Sequence, residues 1–308
     1  MADAKSLPTV AAKEVVSTTK APSLSTTRMI TLIAKLIVAS LAVVFALYPI
    51  VWILSASLNP ANSLLNQTII PEPASFDNYQ RLLNDPQYPW MLWLWNSVKV
   101  SLITSILIVI LTSFAAYSFS RFRYRGRRTG LLVILLIQLF PNTLAIVALF
   151  LLLQQIGNIP GLDWLGLNTH GGLILIYTGG ALGFNTWLMK GFFDSIPKEL
   201  DEAAIIDGAT RWEVFYRIIL PLARPILAVI GILTFIGTYG EFLVARVMLK
   251  GNENYTLMVG LFNFTQGRAN EWGVICAASL VGALPIVVFF FITQRQLVSG
   301  LAAGAVKG

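Results

Sequence analysis

Few side chains in this 308-residue chain are of the types that carry out enzyme chemistry, and they are scattered along it. His170 is the only histidine and Cys276 the only cysteine, which excludes an intrachain disulfide, a cysteine metal cage and a site built from several histidines. His170 lies in the motif GLNTHGG, a turn in which a loop or capping role is favoured over catalysis. The chain contains no G-x-x-x-x-G-K-[ST] motif, so it has no phosphate-binding loop for ATP. We therefore expect no catalytic residue and no metal site.

Three polar residues inside long apolar segments are the remaining candidates for chemistry. Glu241 is an ionisable residue in such a segment, where a charge is costly and is a functional candidate by default. A proton relay needs more such groups, so a glutamate paired with a nearby donor or facing a water-filled cavity is the favoured interpretation. Gln138 and Asn142 flank Pro141 in QLFPNTL, and a proline there removes a helical hydrogen bond and kinks or breaks the helix. The break would either line a polar path or be a simple kink.

The composition indicates an integral membrane protein. The chain is 56% hydrophobic and 12% charged, with a mean hydropathy of +0.71, whereas a soluble domain has roughly 25% charged residues. The net charge of +7 favours nucleic acid as a partner only in a soluble protein. The arginine cluster Arg121–Arg128 is instead typical of a short loop at an anionic membrane surface, and no basic face with interleaved aromatic residues lies outside the apolar segments. We expect no nucleic-acid binding.

Six segments approach or exceed the roughly 20 apolar residues that a bilayer-spanning helix needs. The fold class predicted is therefore an all-α membrane protein with six transmembrane helices. Residues 1–28 have no apolar core, so they are not a signal peptide and are predicted to be a disordered tail. The predicted spans are residues 30–56, 92–120, 130–153, 171–191, 222–247 and 272–294.

The distribution of basic residues predicts the orientation of these spans. Of the 22 Lys and Arg residues, 17 fall on one side, which by the positive-inside rule is the cytoplasmic side. Both termini and the segment Ser195–Pro221 are then cytoplasmic. Five tryptophans fall on the opposite side or near it, where such rings form an interfacial belt: Trp90, Trp93, Trp95, Trp164 and Trp272.

The segment Ser195–Pro221, which we call the elbow, is the longest charged interval between apolar runs. Gly208 stands where the first of two short helices would end in a left-handed conformation. Thr210 and Glu213 form the T-x-x-E pattern of a capping box that begins the second helix. In the first helix we expect an apolar face of Leu200, Ala203 and Ala204, with Lys198, Glu199, Asp201 and Glu202 on the charged side.

The elbow resembles the EAA loop of ABC-importer permeases. All fixed positions of EAA-x3-G-x9-I-x-LP are present in a loop before the penultimate span: Glu202, Ala203, Ala204, Gly208, Ile218, Leu220 and Pro221. The resemblance extends over residues 29–308 to the smaller permease of maltose/maltodextrin importers (the MalG type). It is carried there by the motifs LWNSVKV (94–100), GLNTHGG (166–172) and YTL (255–257), and by the C-terminal residues LV-x-GL and VKG.

This resemblance implies a type I ABC-importer permease in the inner, cytoplasmic membrane. It implies four partners: a second homologous permease, two cytoplasmic ATPase subunits and an extracytoplasmic solute-binding protein that delivers an oligosaccharide. The chain itself would hold no cofactor, since ATP and Mg²⁺ are bound by the ATPase subunits. The elbow would couple to an ATPase subunit, and Gln138, Asn142 and Glu241 become candidates for the translocation path.

Two further sites are expected from the resemblance alone. The domains would be the tail 1–28, the permease domain 29–298 with the elbow 195–221, and a cytoplasmic tail 299–308. That last tail would contact the ATPase subunits through Gly300, Val306, Lys307 and Gly308. The loop from Lys250 to Glu271 would enter the binding protein, although its tip lacks the proline typical of the subfamily; the tip residues are Gln266, Gly267, Arg268 and Asn270.

Two other classes of protein are weighed against this interpretation. An ion-coupled secondary sugar transporter would work without an ATPase and would often show an inverted repeat, which the sequence does not display. A membrane-embedded enzyme would need titratable residues clustered at one face of the membrane, and the spans do not supply them.

Overall fold

The computed structural model describes residues 26–61, 67–267 and 271–305, and these residues form helices, turns and irregular segments without a strand. The chain divides into two compact units, residues 1–51 and residues 52–308. The helices are α1 (Thr26–Ser57), α2 (Asp77–Asn84), α3 (Trp90–Arg121), α4 (Arg127–Ile137), α5 (Asn142–Gly157), α6 (His170–Ser195), α7 (Glu199–Ile206), α8 (Arg211–Glu213), α9 (Leu220–Leu222), α10 (Arg224–Tyr239), α11 (Leu243–Met248), α12 (Leu257–Gly267) and α13 (Trp272–Ala305); a 3₁₀ turn covers Asp163–Leu165 and a π-helical turn Val214–Ile219.

Four of the six predicted spans are single long helices. The segments Arg28–Ser57, Trp90–Arg121, His170–Ser195 and Trp272–Gln296 are each long and apolar enough to cross a membrane. The segment from His170 has the lowest mean hydropathy of the four, 1.2, because of its glycines and polar residues. In the first unit, the apolar side chains of α1 from Met29 to Val51 are exposed, as expected of a helix whose surroundings are lipid.

The third predicted span is interrupted at its proline. α4 ends at Ile137, Pro141 has an extended ψ of 116°, and α5 begins at Asn142. The N–H groups of Gln138 and Leu139 donate to the carbonyls of Leu135 and Leu136 at 3.1 and 3.0 Å. This tight turn supplies donors for two carbonyls at the end of α4 that would otherwise lack partners. The expected break in QLFPNTL is therefore confirmed. Neither helix alone has the length of the predicted span 130–153.

The fifth predicted span, 222–247, is also not one helix. α10 ends at Tyr239, and the short helix α11 begins at Leu243 after a break at Gly240-Glu241-Phe242. At the other end, the helical segment Arg211–Leu222 and α10 meet at a bend of 73°. The described residues thus contain four or five candidate spans, and six spans stay a prediction.

The core of the second unit is built around α3, which packs against α6 and α10. Small polar residues on α3 allow the close approach, and Ser105 Oγ donates to the carbonyl of Gly231 on α10 at 2.7 Å. Tyr239 on α10 in turn donates to the carbonyl of Gly282 on α13 at 2.6 Å. The buried small polar residues of α3 are Ser97, Ser101, Thr104, Ser105, Thr112, Ser113 and Ser120.

Two of the tryptophans expected in the interfacial belt lie in this core. Trp90 and Trp93 are 2% and 0% exposed, so for them the interfacial prediction is wrong. They pack with Leu82 of α2 and with Val274 and Ala277 of α13. Trp95, Trp164 and Trp272 are exposed, as the prediction requires. The reason is the rotation of α3, since residues 90 and 93 lie one turn apart on its inward face.

Candidate functional site

The bend of the elbow is confirmed at Gly208, which has a φ of +92°. At the end of α7 the N–H of Asp207 donates to the carbonyl of Ala203 at 3.0 Å, and the N–H of Ala209 donates to that of Ala204 at 2.9 Å. No heavy atom lies within 4 Å of the position that a Cβ would take on Gly208. Glycine is therefore required for its backbone conformation, which other residues adopt only at a cost, and not to make room.

The predicted capping box of the elbow is also confirmed. Thr210 Oγ1 accepts from the N–H of Glu213 at 3.2 Å, and Oε2 of Glu213 accepts from the N–H of Thr210 at 2.9 Å. The box satisfies two backbone donors that a helix start otherwise leaves free. It fixes where the helical segment after Gly208 begins.

An ion pair fastens α7 to the end of α3. Nε of Arg121 lies 2.6 Å from Oδ2 of Asp201, and the two side chains are only 3% and 13% exposed. Nη2 of Arg121 also donates to the carbonyl of Ile196 at 3.0 Å. Burial raises the pKa of the Asp201 carboxyl, and the Arg121 guanidinium opposes that rise. One guanidinium thus holds both the entry to the elbow and its first helix.

The faces expected for α7 are therefore wrong in part. Asp201, which we placed on the charged solvent side, is buried. Leu200, expected on the apolar inward face, is 42% exposed, and Ala203 is exposed. Only Ala204 of that face packs against the core. The helix is rotated because the inward position is taken by the carboxylate that pairs with Arg121.

The second half of the elbow is anchored on the same end of α3. The hydroxyl of Tyr117 donates to the carbonyl of Arg211 at 3.1 Å, and the Tyr117 ring lies 4.8 Å, centroid to centroid, from the ring of Phe215. Ser120 Oγ donates to Oδ1 of Asp194 at 2.6 Å. The last turn of α3 therefore contacts the end of α6, α7 and the segment after Gly208.

Three apolar side chains of α7 are exposed. Ile206 is 85% exposed, and Leu200 and Ile205 are 42% and 41% exposed. Glu202 and Asp207 beside them are exposed as well. Exposed apolar side chains with charged neighbours, on a helix that is attached to α3 by an ion pair, are suited to contact with another protein.

The seven EAA positions divide into exposed and half-buried residues. Glu202, Ala203, Gly208 and Pro221 are exposed, whereas Ala204, Ile218 and Leu220 are half-buried. Ile218 lies in the π-helical turn Val214–Ile219. The motif therefore combines exposed residues with residues that set the shape of the elbow.

The polar candidates in the third span lie at its break. Nε2 of Gln138 donates to the carbonyl of Gly180 on α6 at 2.9 Å. A Cβ on Gly183 would lie 2.6 Å from that same nitrogen, so a glycine at this position allows α6 to approach Gln138 closely. Asn142 is the first residue of α5, and its side chain lies outside the described residues.

Glu241 is a paired carboxylate at the break between α10 and α11. It accepts from the N–H groups of Val244 and Ala245 at 2.9 and 3.1 Å and from the hydroxyl of Tyr177 on α6. The carboxylate caps α11 and ties it to α6. This is the paired arrangement favoured from the sequence.

The remaining predicted site residues are placed only in part. Gln266 is exposed near the end of α12, and Gly267 is its last residue. Helix α13 continues through Gly300 to Ala305, past the predicted start of the tail at residue 299. Arg268, Asn270, Val306, Lys307 and Gly308 lie outside the described residues, as does the tail 1–25.

The three motifs that carry the subfamily resemblance meet in the fold. Asn96 of LWNSVKV donates to the carbonyl of Tyr255 of YTL at 3.0 Å. Nε2 of His170, from GLNTHGG, contacts the carbonyl of Asn254 at 2.9 Å. His170 therefore has the loop role favoured from the sequence. These segments lie up to 159 positions apart, and no pattern in the sequence indicates that they meet.

Comparisons with known proteins agree with the resemblance. Residues 108–299 match the family described as binding-protein-dependent transport system inner membrane component. The chain is 42% identical over 273 residues to the maltose/maltodextrin transport system permease protein MalG of Photorhabdus laumondii, covering 85% of this chain and 91% of that protein. It is 41% identical over 279 residues to the galactooligosaccharides transport system permease protein GanQ of Bacillus subtilis, covering 90% and 95%.

A solved structure has the same fold. A chain of a bacterial ABC transporter involved in the import of the acidic polysaccharide alginate superposes with a TM-score of 0.68 at 25% identity, covering 89% of this chain and 99% of that one. The fixed bend, the surface of α7 and the interrupted helices thus occur in a chain that matches transport permeases over most of its length. The chain belongs to the family of binding-protein-dependent transport system inner membrane components.

Proposed function

We propose that this chain is one of two permease subunits of an ATP-driven oligosaccharide importer, and that its elbow is the docking site for a cytoplasmic ATPase subunit. The observation that best supports this proposal is the way α7 is attached and exposed. The buried Arg121–Asp201 pair attaches α7 to α3, while Ile206 on the same helix is exposed to solvent. A helix fixed in this way can pass a displacement to the spans without first deforming.

The proposal includes six spans with both termini in the cytoplasm. The excess of Lys and Arg on one side supports that orientation. In this arrangement the pairs α4–α5 and α10–α11 are interrupted spans, which are tolerated where the backbone is buried in protein or lines a cavity. Gln138 and Asn142 then stay candidates for the translocation path. Glu241 acts there through the shape of the break that it caps.

The transport step follows from alternating access. Closure of the two ATPase subunits on ATP moves the elbow, and the last turn of α3 moves with it because Arg121 and Tyr117 hold both parts. The spans then switch between inward-facing and outward-facing arrangements. The C-terminal residues Gly300 to Gly308 contact the ATPase pair, and the tip from Gln266 to Asn270 enters the binding protein.

The substrate class comes from the relatives. Their names cover maltose/maltodextrin and galactooligosaccharides, and the similar structure belongs to an alginate importer. An oligosaccharide is the chemistry that these substrates share. The chain transports it together with a homologous permease, two ATPase subunits and a binding protein.

Reconstitution tests the proposal directly. The chain is co-purified with its candidate partners, placed in proteoliposomes and assayed for ATP hydrolysis and uptake with malto-, galacto- and alginate oligosaccharides. We expect hydrolysis and uptake that require the binding protein and one of these sugars. An ATPase variant that lacks the phosphate-binding lysine serves as the inactive control. Sugar uptake by the chain alone, driven by an ion gradient without ATP, would overturn the proposal.

A further inference from the structure

A short segment before α12 is held by side chains from other helices. We call Asn252–Tyr255 the NENY loop. Each of its four consecutive carbonyls contacts a side chain from elsewhere in the chain. Trp93 Nε1 donates to the carbonyl of Asn252 at 2.8 Å, and His170 Nε2 contacts the carbonyl of Asn254 at 2.9 Å. Asn96 Nδ2 donates to the carbonyls of Glu253 and Tyr255 at 2.9 and 3.0 Å. A loop bonded in this way takes its shape from α3 and α6.

The hydrogen bonds continue into the first turn of α12. The N–H of Leu257, the first residue of α12, donates to Oγ of Ser97 on α3 at 2.7 Å. A helix start leaves its first N–H groups without intrahelical partners, and here a neighbouring helix supplies one acceptor. Ser97 is 1% exposed, so this bond is shielded from water.

Packing fixes the same helix one turn later. A Cβ on Gly260 would lie 2.1 Å from the ring of Trp93, far inside van der Waals contact. The indole is itself fully buried and bonded to the NENY loop. α12 is therefore set against α3 at its start by Ser97 and at its second turn by Trp93.

We infer that Asn96, with Trp93 and Ser97, positions α12 so that its last residues, Gln266 and Gly267, are directed toward the extracytoplasmic binding protein. Asn96 is 2% exposed and does not itself touch a partner, so it is a positioning residue. The inference rests on the proposed function, in which the tip after α12 enters the binding protein. It adds that the position of α12 is set by the side-chain amide of Asn96 on α3.

The substitution Asn96→Asp tests the role of the amide with almost no change of shape. It replaces a group that donates twice by a carboxylate facing two carbonyls, so the NENY loop is repelled where it was held. The matched control is Asn84→Asp, which adds the same charge at an exposed position on α2. Ser97→Ala is a milder second variant, because it removes only the acceptor for Leu257.

The assay is ATP hydrolysis by the complete transporter in proteoliposomes, titrated with sugar-loaded binding protein. For Asn96→Asp we expect the half-saturating concentration of binding protein to rise about tenfold, and for Ser97→Ala about threefold. The maximal rate and the rate without binding protein should stay within twofold of wild type, as should all values for Asn84→Asp.

Other results would overturn the inference. An unchanged half-saturating concentration in Asn96→Asp contradicts it, and so does a fall in the maximal rate alone. If Asn96→Asp does not assemble, the same two criteria apply to Ser97→Ala. A wild-type transporter that binding protein does not stimulate at all would instead refute the proposed function, so the two failures are distinguishable.

Discussion

Arg121, the last residue of α3, and Asp201, on the first helix of the elbow, form an ion pair across 80 positions of sequence, with Nε and Oδ2 2.6 Å apart. Both side chains are almost fully shielded from water, at 3% and 13% exposure. Removal of one partner from such a pair leaves an uncompensated buried charge. The elbow should therefore be sensitive to substitution of either partner.

Asp201→Ala is expected to lower the free energy of unfolding by about 3 kcal/mol and sugar-stimulated ATP hydrolysis about tenfold. The reason is that Arg121 keeps its charge without a partner and α7 loses its attachment. Thermal unfolding and ATP hydrolysis of the assembled complex measure the two effects. Glu202→Ala removes a neighbouring exposed carboxylate and should leave stability within about 0.5 kcal/mol. An equal loss of stability in the two variants would contradict the role of the ion pair.

Gly208→Pro is expected to leave the chain inserted in the membrane but to uncouple it. The φ of +92° at this position is inaccessible to proline, whose ring fixes φ near −65°. Sugar-stimulated hydrolysis in proteoliposomes should fall to the basal rate. Gly208→Asn is the matched control, because asparagine tolerates left-handed backbone better than most residues. Wild-type stimulation in Gly208→Pro would show that the bend has no part in coupling.

Ile206→Asp is expected to weaken the association with the ATPase subunit while the chain itself stays folded. Ile206 is 85% exposed on α7, so the substitution places a charge in the surface that we assign to docking. Co-purified ATPase should fall at least fivefold. The control Ile70→Asp changes an isoleucine that is 75% exposed outside the elbow and should not alter the yield of ATPase. A fall of the same size in both variants would argue against a docking surface on α7.

Tyr177→Phe and Glu241→Gln separate a capping role from a proton-carrying role. Tyr177→Phe removes the hydroxyl that donates to Glu241, whereas Glu241→Gln removes the carboxylate charge but keeps an amide oxygen that can accept from the N–H groups at the start of α11. We expect uptake driven by ATP to stay within about threefold of wild type, with thermal stability lowered by about 1 kcal/mol in each variant. Loss of all uptake in Glu241→Gln, with Tyr177→Phe active, would instead favour proton transfer.

The features predicted correctly from the sequence are those that a few neighbouring residues determine. Gly208 needs a left-handed conformation at a helix end, and Thr210 and Glu213 bond each other across a single turn. The break at Pro141 likewise follows from one residue that lacks an N–H. Such features are visible because their cause and their effect lie within a few positions.

The features missed depend on which distant segment a residue meets. Asp201 resembles any charged residue of a surface helix until Arg121 is placed beside it. Trp93 is of a residue type typical of membrane interfaces, yet it is buried between the NENY loop and Gly260. A signal was present in both cases. Asp201 is one helical turn from the half-buried Ala204, and Trp93 is one turn from Asn96 and Ser97 on α3. This spacing indicates an inward face, but it does not identify the residue that each side chain contacts there.

The 73° bend between the segment Arg211–Leu222 and α10 has a mechanical consequence. When two rigid helices meet at such an angle, a force along the axis of the first acts mainly perpendicular to the axis of the second. A thrust delivered through Arg211–Leu222 therefore tilts α10 sideways and scarcely slides it along its own axis. Since Tyr239 on α10 is hydrogen-bonded to α13, the sideways swing reaches the last helix of the chain as well.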